Sequence, residues 1–179
     1  LEKITIGRFV TYIGEGAFQD CANLTDVTFE ARGSESLQID DYAFQNCTSL
    51  KKVDLPVRLR NPDTASYTAG LGLYAFDGCT ALQTVTFSVR GGEMLTGYLS
   101  LGNYAFRNTG LTSFEMPSYA GYRSQSLAAI GYYTFDGCTA LKSFTFNSTR
   151  QSYYYVNSYA FRNCTALEEV NNIPSNLYL

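Results

Sequence analysis

A phenylalanine recurs along this chain at Phe18, Phe44, Phe76, Phe106, Phe135 and Phe161, in steps of 26, 32, 30, 29 and 26 residues. Around each anchor the same pattern returns, as in Ile39-Asp-Asp-Tyr-Ala-Phe-Gln-Asn-Cys-Thr-Ser-Leu-Lys-Lys-Val-Asp-Leu55. Ala or Thr precedes the phenylalanine, Cys follows three residues later, and a leucine sits at Leu24, Leu50, Leu82, Leu111, Leu141 and Leu167. Periods of this length belong to solenoids, in which one unit cannot bury its own apolar face and stacked units build a continuous core. The closing Val-x-Phe or its equivalent, as at Val27 and Phe29, alternates with the period of a strand. The Ala-Phe-x-x-Cys piece suits a single helical or 3₁₀ turn, with Asn46, Gly78, Gly137 and Asn163 supplying its exit.

The expected fold class is therefore a β-rich α/β solenoid: a right-handed superhelix with one short parallel strand and one short helical turn per repeat, plus hairpin-like inserts. The expected organisation is a single solenoid over 1–179, with repeats at about 13–38, 39–70, 71–100, 101–129, 130–155 and 156–179 after a partial repeat at 1–12. Leu1–Ile6 matches the strand half of a unit, and no further anchor follows Val170. Both ends are thus expected to cut through repeats, making the chain a fragment of a longer protein, with end-to-end stacking of molecules as the alternative.

Residue for residue, these units resemble the bacterial BspA-like, or Treponema-type, leucine-rich repeats, whose units read much like IGxxAFxxCxxLxxVxF. The resemblance covers nearly the whole chain; the fourth unit departs from it by carrying Thr109 in place of Cys and by being one residue shorter. It implies a secreted or surface-attached protein of Bacteroides-type bacteria, associated with adhesion to host or matrix proteins. No binding residue is carried over, because the repeat motif is itself scaffold.

Binding residues are instead sought where the units lengthen. From the last apolar residue of one strand to the first of the next unit, Ile6 to Ile13 takes 7 residues, whereas the five later connections take 10, 16, 14, 14 and 10. Inserts at one place in the coil are expected to emerge from one edge and lie side by side. One of them reads as a hairpin reversing at Gly91-Gly92-Glu93. They hold Arg32, Arg58, Arg60, Arg90, Arg123 and Arg150 together with Tyr67, Tyr98, Tyr119, Tyr122, Tyr153, Tyr154 and Tyr155. Arg and Tyr in such numbers are favoured at binding hot spots, so these, Tyr155 apart, are the candidate partner-binding residues. The plainer account is that Arg stems and Tyr rings cover the coil edge and pair with Glu30, Glu35, Asp63 and Glu93.

A second column, Tyr42, Tyr74, Tyr104, Tyr133 and Tyr159, reads as a stacked ladder sealing the turn, or as an aromatic strip that cradles a sugar.

Chemistry finds little support. The chain lacks histidine, the commonest metal ligand and general base. Cys21, Cys47, Cys79, Cys138 and Cys164 occupy one site in successive coils and read as buried structural thiols, not as a metal or redox centre. Asp40-Asp41 and Glu168-Glu169 are adjacent pairs on polar positions, not acids facing across a cleft. Of the sequons at Asn23, Asn46, Asn147 and Asn163, most are products of the repeat and only Asn147 sits in an insert; those beside the cysteines are expected to be poorly exposed. No catalytic residue, metal or cofactor is expected. A net charge of −3 from 13 basic and 16 acidic residues argues against nucleic acid. No apolar run is long enough to insert in a membrane. The expected function is a non-catalytic binding or adhesion module, extracellular or at the cell surface by resemblance. Its partner is a host or matrix protein or a glycan, and self-association end to end is possible. The alternative is a structural spacer or stalk.

Overall fold

The structure, a computed structural model of the chain, describes residues 1–31, 36–56, 59, 71–88, 99–117, 127–146 and 153–178. It is a β-solenoid with two columns of short strands. The first column holds the closing apolar-x-apolar segments: β1 (Lys3–Ile6), β3 (Asp26–Phe29), β5 (Lys52–Pro56), β6 (Thr84–Ser88), β7 (Ser113–Glu115), β9 (Ser143–Thr145) and β11 (Glu169–Asn171). The second holds the segments that open each unit: β2 (Tyr12–Ile13), β4 (Gln38–Ile39), β8 (Leu127–Ile130), β10 (Tyr153–Val156) and β12 (Leu177–Tyr178). Single bridges at Ile39–Leu71 and Leu101–Ile130 continue the second column between β4 and β8. Every pairing among the described residues is parallel and in repeat register, as in Val53 with Val85 and Leu55 with Phe87. Each unit thus contributes to two strand columns, not the one expected. The second escaped the periodicity because several of its members pair over only one or two residues. The turn of the expected hairpin, Gly91 to Glu93, lies outside the described residues.

No helix occurs among the described residues, so the expected helical turn is corrected. The hydrogen bonds of the turn explain why. Around Phe76, the N–H groups of Tyr74, Phe76 and Gly78 donate to Asn103, Ala105 and Arg107 of the next coil at 3.0, 2.8 and 2.9 Å. The intervening N–H groups of Asp77 and Cys79 donate back three residues within their own coil, at 3.1 and 3.2 Å. A helix would keep all of these donors along its own axis. Here alternate donors leave along the stacking direction, so the turn itself becomes a rung of the ladder.

This alternation requires left-handed backbone at two sites per turn. Tyr42, Tyr74, Tyr104, Tyr133 and Tyr159 have φ of 56 to 63°, and the residues four positions on, including Asn46, Gly78, Asn108, Gly137 and Asn163, have φ of 57 to 74°. At the second site Asn and Gly alternate for a packing reason. A Cβ on Gly78 would lie 2.3 Å from Asn46 Oδ1, and one on Gly137 would lie 2.3 Å from Asn108 Oδ1. Asn23, Asn46 and Asn163 are all exposed, contrary to the expectation for the sequons beside the cysteines: the left-handed apex at Asn46 and Asn163 carries the side chain out of the core. Asn147 lies outside the described residues.

Inside, the anchor phenylalanines stack coil on coil with centroids 5.1 to 5.7 Å apart. The leucine column packs beside them, with Leu24, Leu50, Leu82, Leu111 and Leu141 fully buried. In the fourth and fifth coils the inward strand residue grows from Val to Phe114 and Phe144, whose rings meet the anchor Phe135 edge-on at 4.9 and 5.7 Å.

Candidate partner-binding surface

The lengthened segments run between the two strand columns, and the described residues at their feet are in register. On the departing side Leu55 pairs with Phe87 and Pro56 with Ser88; on the returning side Ile39 pairs with Leu71 and Leu101 with Ile130. Neighbouring strands stand about 4.8 Å apart, so the feet of successive segments are one strand spacing from each other.

Of the candidate residues, Arg32, Arg58, Arg60, Tyr67, Arg90, Tyr98, Tyr119, Tyr122, Arg123 and Arg150 lie outside the described residues. Tyr153 is placed on β10, opposite Leu127. Tyr154 must be withdrawn. It is fully buried, with its ring edge-on to Phe146 at 5.2 Å, and it belongs to the core. The neighbouring Tyr155 is 39% exposed and stacked on Tyr178 at 4.8 Å. Tyr132, 47% exposed, was not marked by the sequence pattern.

The tyrosine column forms a stacked ladder, with centroids 4.5 to 5.1 Å apart. Arg107 lies 5.2 Å from both the Tyr74 and Tyr104 rings, and Arg162 lies 4.9 Å from Tyr133. Because each inner ring is sandwiched by its neighbours, its edges and not its faces meet solvent, and stacking a sugar on the face of an inner ring is blocked. The guanidinium groups are held in turn by Asp77 and Asp136, both nearly buried, through paired bonds of 2.7 to 3.0 Å. Sequence reasoning missed this ion-pair ladder. Its signal was present at the position after each anchor, which reads Gln19, Gln45, Asp77, Arg107, Asp136, Arg162.

The cysteines are free thiols of the core ladder. Cys47, Cys79, Cys138 and Cys164 each direct Sγ to the anchor carbonyl of a neighbouring coil, at 3.1 to 3.3 Å. Thr109 fills the gap by donating to Phe106 of its own coil at 2.9 Å while touching Cys138 Sγ at 3.2 Å. The hydrogen bond with Cys47, reinforced by burial, raises the Cys79 thiol, and burial pushes Cys164 up to about 12, so neither supplies a thiolate near neutral pH. Among the described residues no three His, Cys, Asp or Glu side chains gather closely enough to hold a metal ion. Likewise, no helix is long and apolar enough to cross a membrane.

The BspA type leucine rich repeat region matches this chain in six copies, over residues 1–119 and 59–178. Among solved structures, the pneumococcal vaccine antigen PcpA is similar with a TM-score of 0.54 at 17% identity, covering 98% of this chain and 51% of that one. A leucine-rich repeat protein from Bacteroides ovatus gives 0.36 at 18% identity, over 99% of this chain and 74% of that one. A leucine rich cell surface protein from Faecalibacterium prausnitzii gives 0.39 at 18% identity, over 98% and 61%. The chain spans about half the length of PcpA, and at these identities the likeness concerns the fold alone. No curated protein matches the chain. Six matching copies that together span residues 1 to 178 place the chain in the BspA-type leucine-rich repeat family.

Proposed function

We propose that the chain is a non-catalytic binding or adhesion module of a secreted or cell-surface bacterial protein, offering its lengthened segments to a protein or glycan partner. The observation that carries this reading is the registered set of feet. Every lengthened connection departs from the first strand column and returns to the second. Variable connections on a rigid scaffold are where binding residues concentrate. Family membership and the similarity in fold to PcpA, a vaccine antigen, support placement outside the cell.

The test is a binding screen of the purified chain against matrix proteins and glycans, beside a version whose connections are all cut to the seven-residue length of Ile6–Ile13. Binding lost on trimming supports the reading, as does loss in the Arg58→Ala, Arg60→Ala, Arg90→Ala, Arg123→Ala variant that still folds. A partner held equally by the trimmed and full forms would move the site off these segments.

A further inference from the structure

Beside the second strand column the surface carries a groove of about 360 Å³ that runs from Asp40 in the second coil to Asn157 in the sixth. At the strand spacing this is about 19 Å of length. Gly72, Gly102 and Gly131 are among its lining residues. Each lies so close to the preceding coil that a Cβ would meet backbone atoms at 2.4 to 2.7 Å. Two of the three glycine amides are spent within the solenoid, Gly72 N–H on Ile39 and Gly131 N–H on Leu101. An incoming peptide strand would find those two rungs of the ladder taken.

What the groove offers is side-chain hydrogen bonding. Asp41 accepts the Leu73 N–H at 2.7 Å through Oδ1, and Asn103 accepts the Tyr132 N–H at 2.8 Å through Oδ1. Asn157 donates through Nδ2 to the Ile130 carbonyl at 3.0 Å, and Asp40 accepts the Tyr12 hydroxyl through Oδ2. Each of these four side chains is thus fixed by one atom. Its second polar atom, Asp41 Oδ2, Asn103 Nδ2, Asn157 Oδ1 or Asp40 Oδ1, has no protein partner among the described residues.

Two exposed rings adjoin lining residues of the fifth coil. Tyr132 directly follows Gly131. Tyr155 pairs in register with Ala129 and stacks on Tyr178. Preoriented donors and acceptors near exposed aromatic rings complement the hydroxyls and the C–H faces of a sugar. The two carboxylates at the near end disfavour an anionic one.

We propose that this groove binds a neutral oligosaccharide, with Asp40, Asp41, Asn103 and Asn157 bonding to hydroxyls and Tyr132 and Tyr155 flanking one sugar ring. It borrows the returning ends of the lengthened segments, as at Ser100 and Ala129, but uses none of the four arginines of the segment site. The ¹⁵N-labelled full chain is titrated with cellotetraose, chitotetraose and mannotetraose, following the amides of Gly72, Gly102, Asn103 and Gly131. At least one of the three is expected to shift these amides saturably, and Tyr132→Ala with Tyr155→Ala is expected to weaken its binding at least tenfold with the remaining spectrum unchanged. The four-arginine variant is expected to bind the same sugar normally, so failure of the groove and failure of the segment site are told apart. No saturable shift with any of the three, an affinity unchanged in the double tyrosine variant, or loss in the arginine variant would each overturn the proposal.

Discussion

Arg107 grips Asp77 across neighbouring coils through two bonds of 2.8 and 2.9 Å, while its guanidinium lies 5.2 Å from the centroids of both the Tyr74 and Tyr104 rings. The Asp77 carboxylate is nearly buried, and its other side-chain donor is Gln45 at 3.0 Å. Arg107→Ala therefore leaves a buried charge short of its principal partner, at an expected cost of about 2 kcal/mol. The Arg side is a third exposed, which keeps the figure below that of a fully enclosed pair. Urea unfolding of Arg107→Ala, Asp77→Ala and the double variant should show coupling of at least about 1 kcal/mol. Additive losses would mean that the pair is screened away.

Gly102 and Gly14 occupy the same repeat position, yet they should respond differently to alanine. At Gly102 a Cβ would sit 2.4 Å from the Gly72 carbonyl oxygen and 2.6 Å from that of Leu71, both backbone atoms. At Gly14 its nearest neighbour is the Tyr12 ring at 3.3 Å, a half-exposed side chain and not backbone. Gly102→Ala should thus lose about 2 kcal/mol or more through forced separation of two coils. Gly14→Ala should stay within about 0.5 kcal/mol of the parent. Thermal melts of the two side by side check this, and equal losses would refute the close-approach account.

The repeat, the stacked phenylalanines, the cysteine ladder and the tyrosine column were legible because each recurs at one position in unit after unit. The turn was misread because Ala-Phe-x-x-Cys carries no mark of where its amides go. Tyrosine is not a residue that announces φ above zero, and only the inter-coil bonds explain why it adopts one. Tyr154 was misassigned although the pattern held the answer. Val156 opens its unit and faces inward, so two residues earlier Tyr154 faces inward too, and Tyr155 faces out. The ion-pair ladder was hidden because opposite charges at an equivalent position look like ordinary surface variation until the coils are stacked.

Alkaline pH should weaken the solenoid through its thiols. Burial holds the Cys164 proton to about 12, and Cys138 shifts the same way for the same reason, whereas an unfolded thiol titrates at about 8.5. The unfolded state therefore releases its proton first as pH rises. The stability carried by the neutral thiol is complete below about pH 8.5 and declines towards 12. Melting temperature should fall between pH 8.5 and 10, and Cys164→Ser, which has nothing to ionise in this range, should show a shallower fall. An identical slope in the variant would remove Cys164 as the cause.

Replacing Tyr104 should reverse the usual ranking of glycine and alanine. Its φ of 61° disfavours any residue with a Cβ, and the strain is offset by stacking on Tyr74 and Tyr133 at 4.5 and 5.0 Å and by the N–H bond to the Tyr132 carbonyl. Both truncations lose the stack, at about 0.5–1.5 kcal/mol for each ring pair. Alanine keeps the left-handed strain of about 1–2 kcal/mol, while glycine sheds it and loses only about 0.5–1 kcal/mol to chain entropy. Tyr104→Gly should therefore be the more stable variant by about 0.5–1 kcal/mol, and the first coil already uses Gly16 at this site, with φ of 59°. The control is Gln45, which has no such φ, where alanine should outrank glycine as usual. Equal stabilities of the two Tyr104 variants would show that the backbone relaxes out of the left-handed region once the ring is gone, making the stack the cause of the conformation and not its compensation.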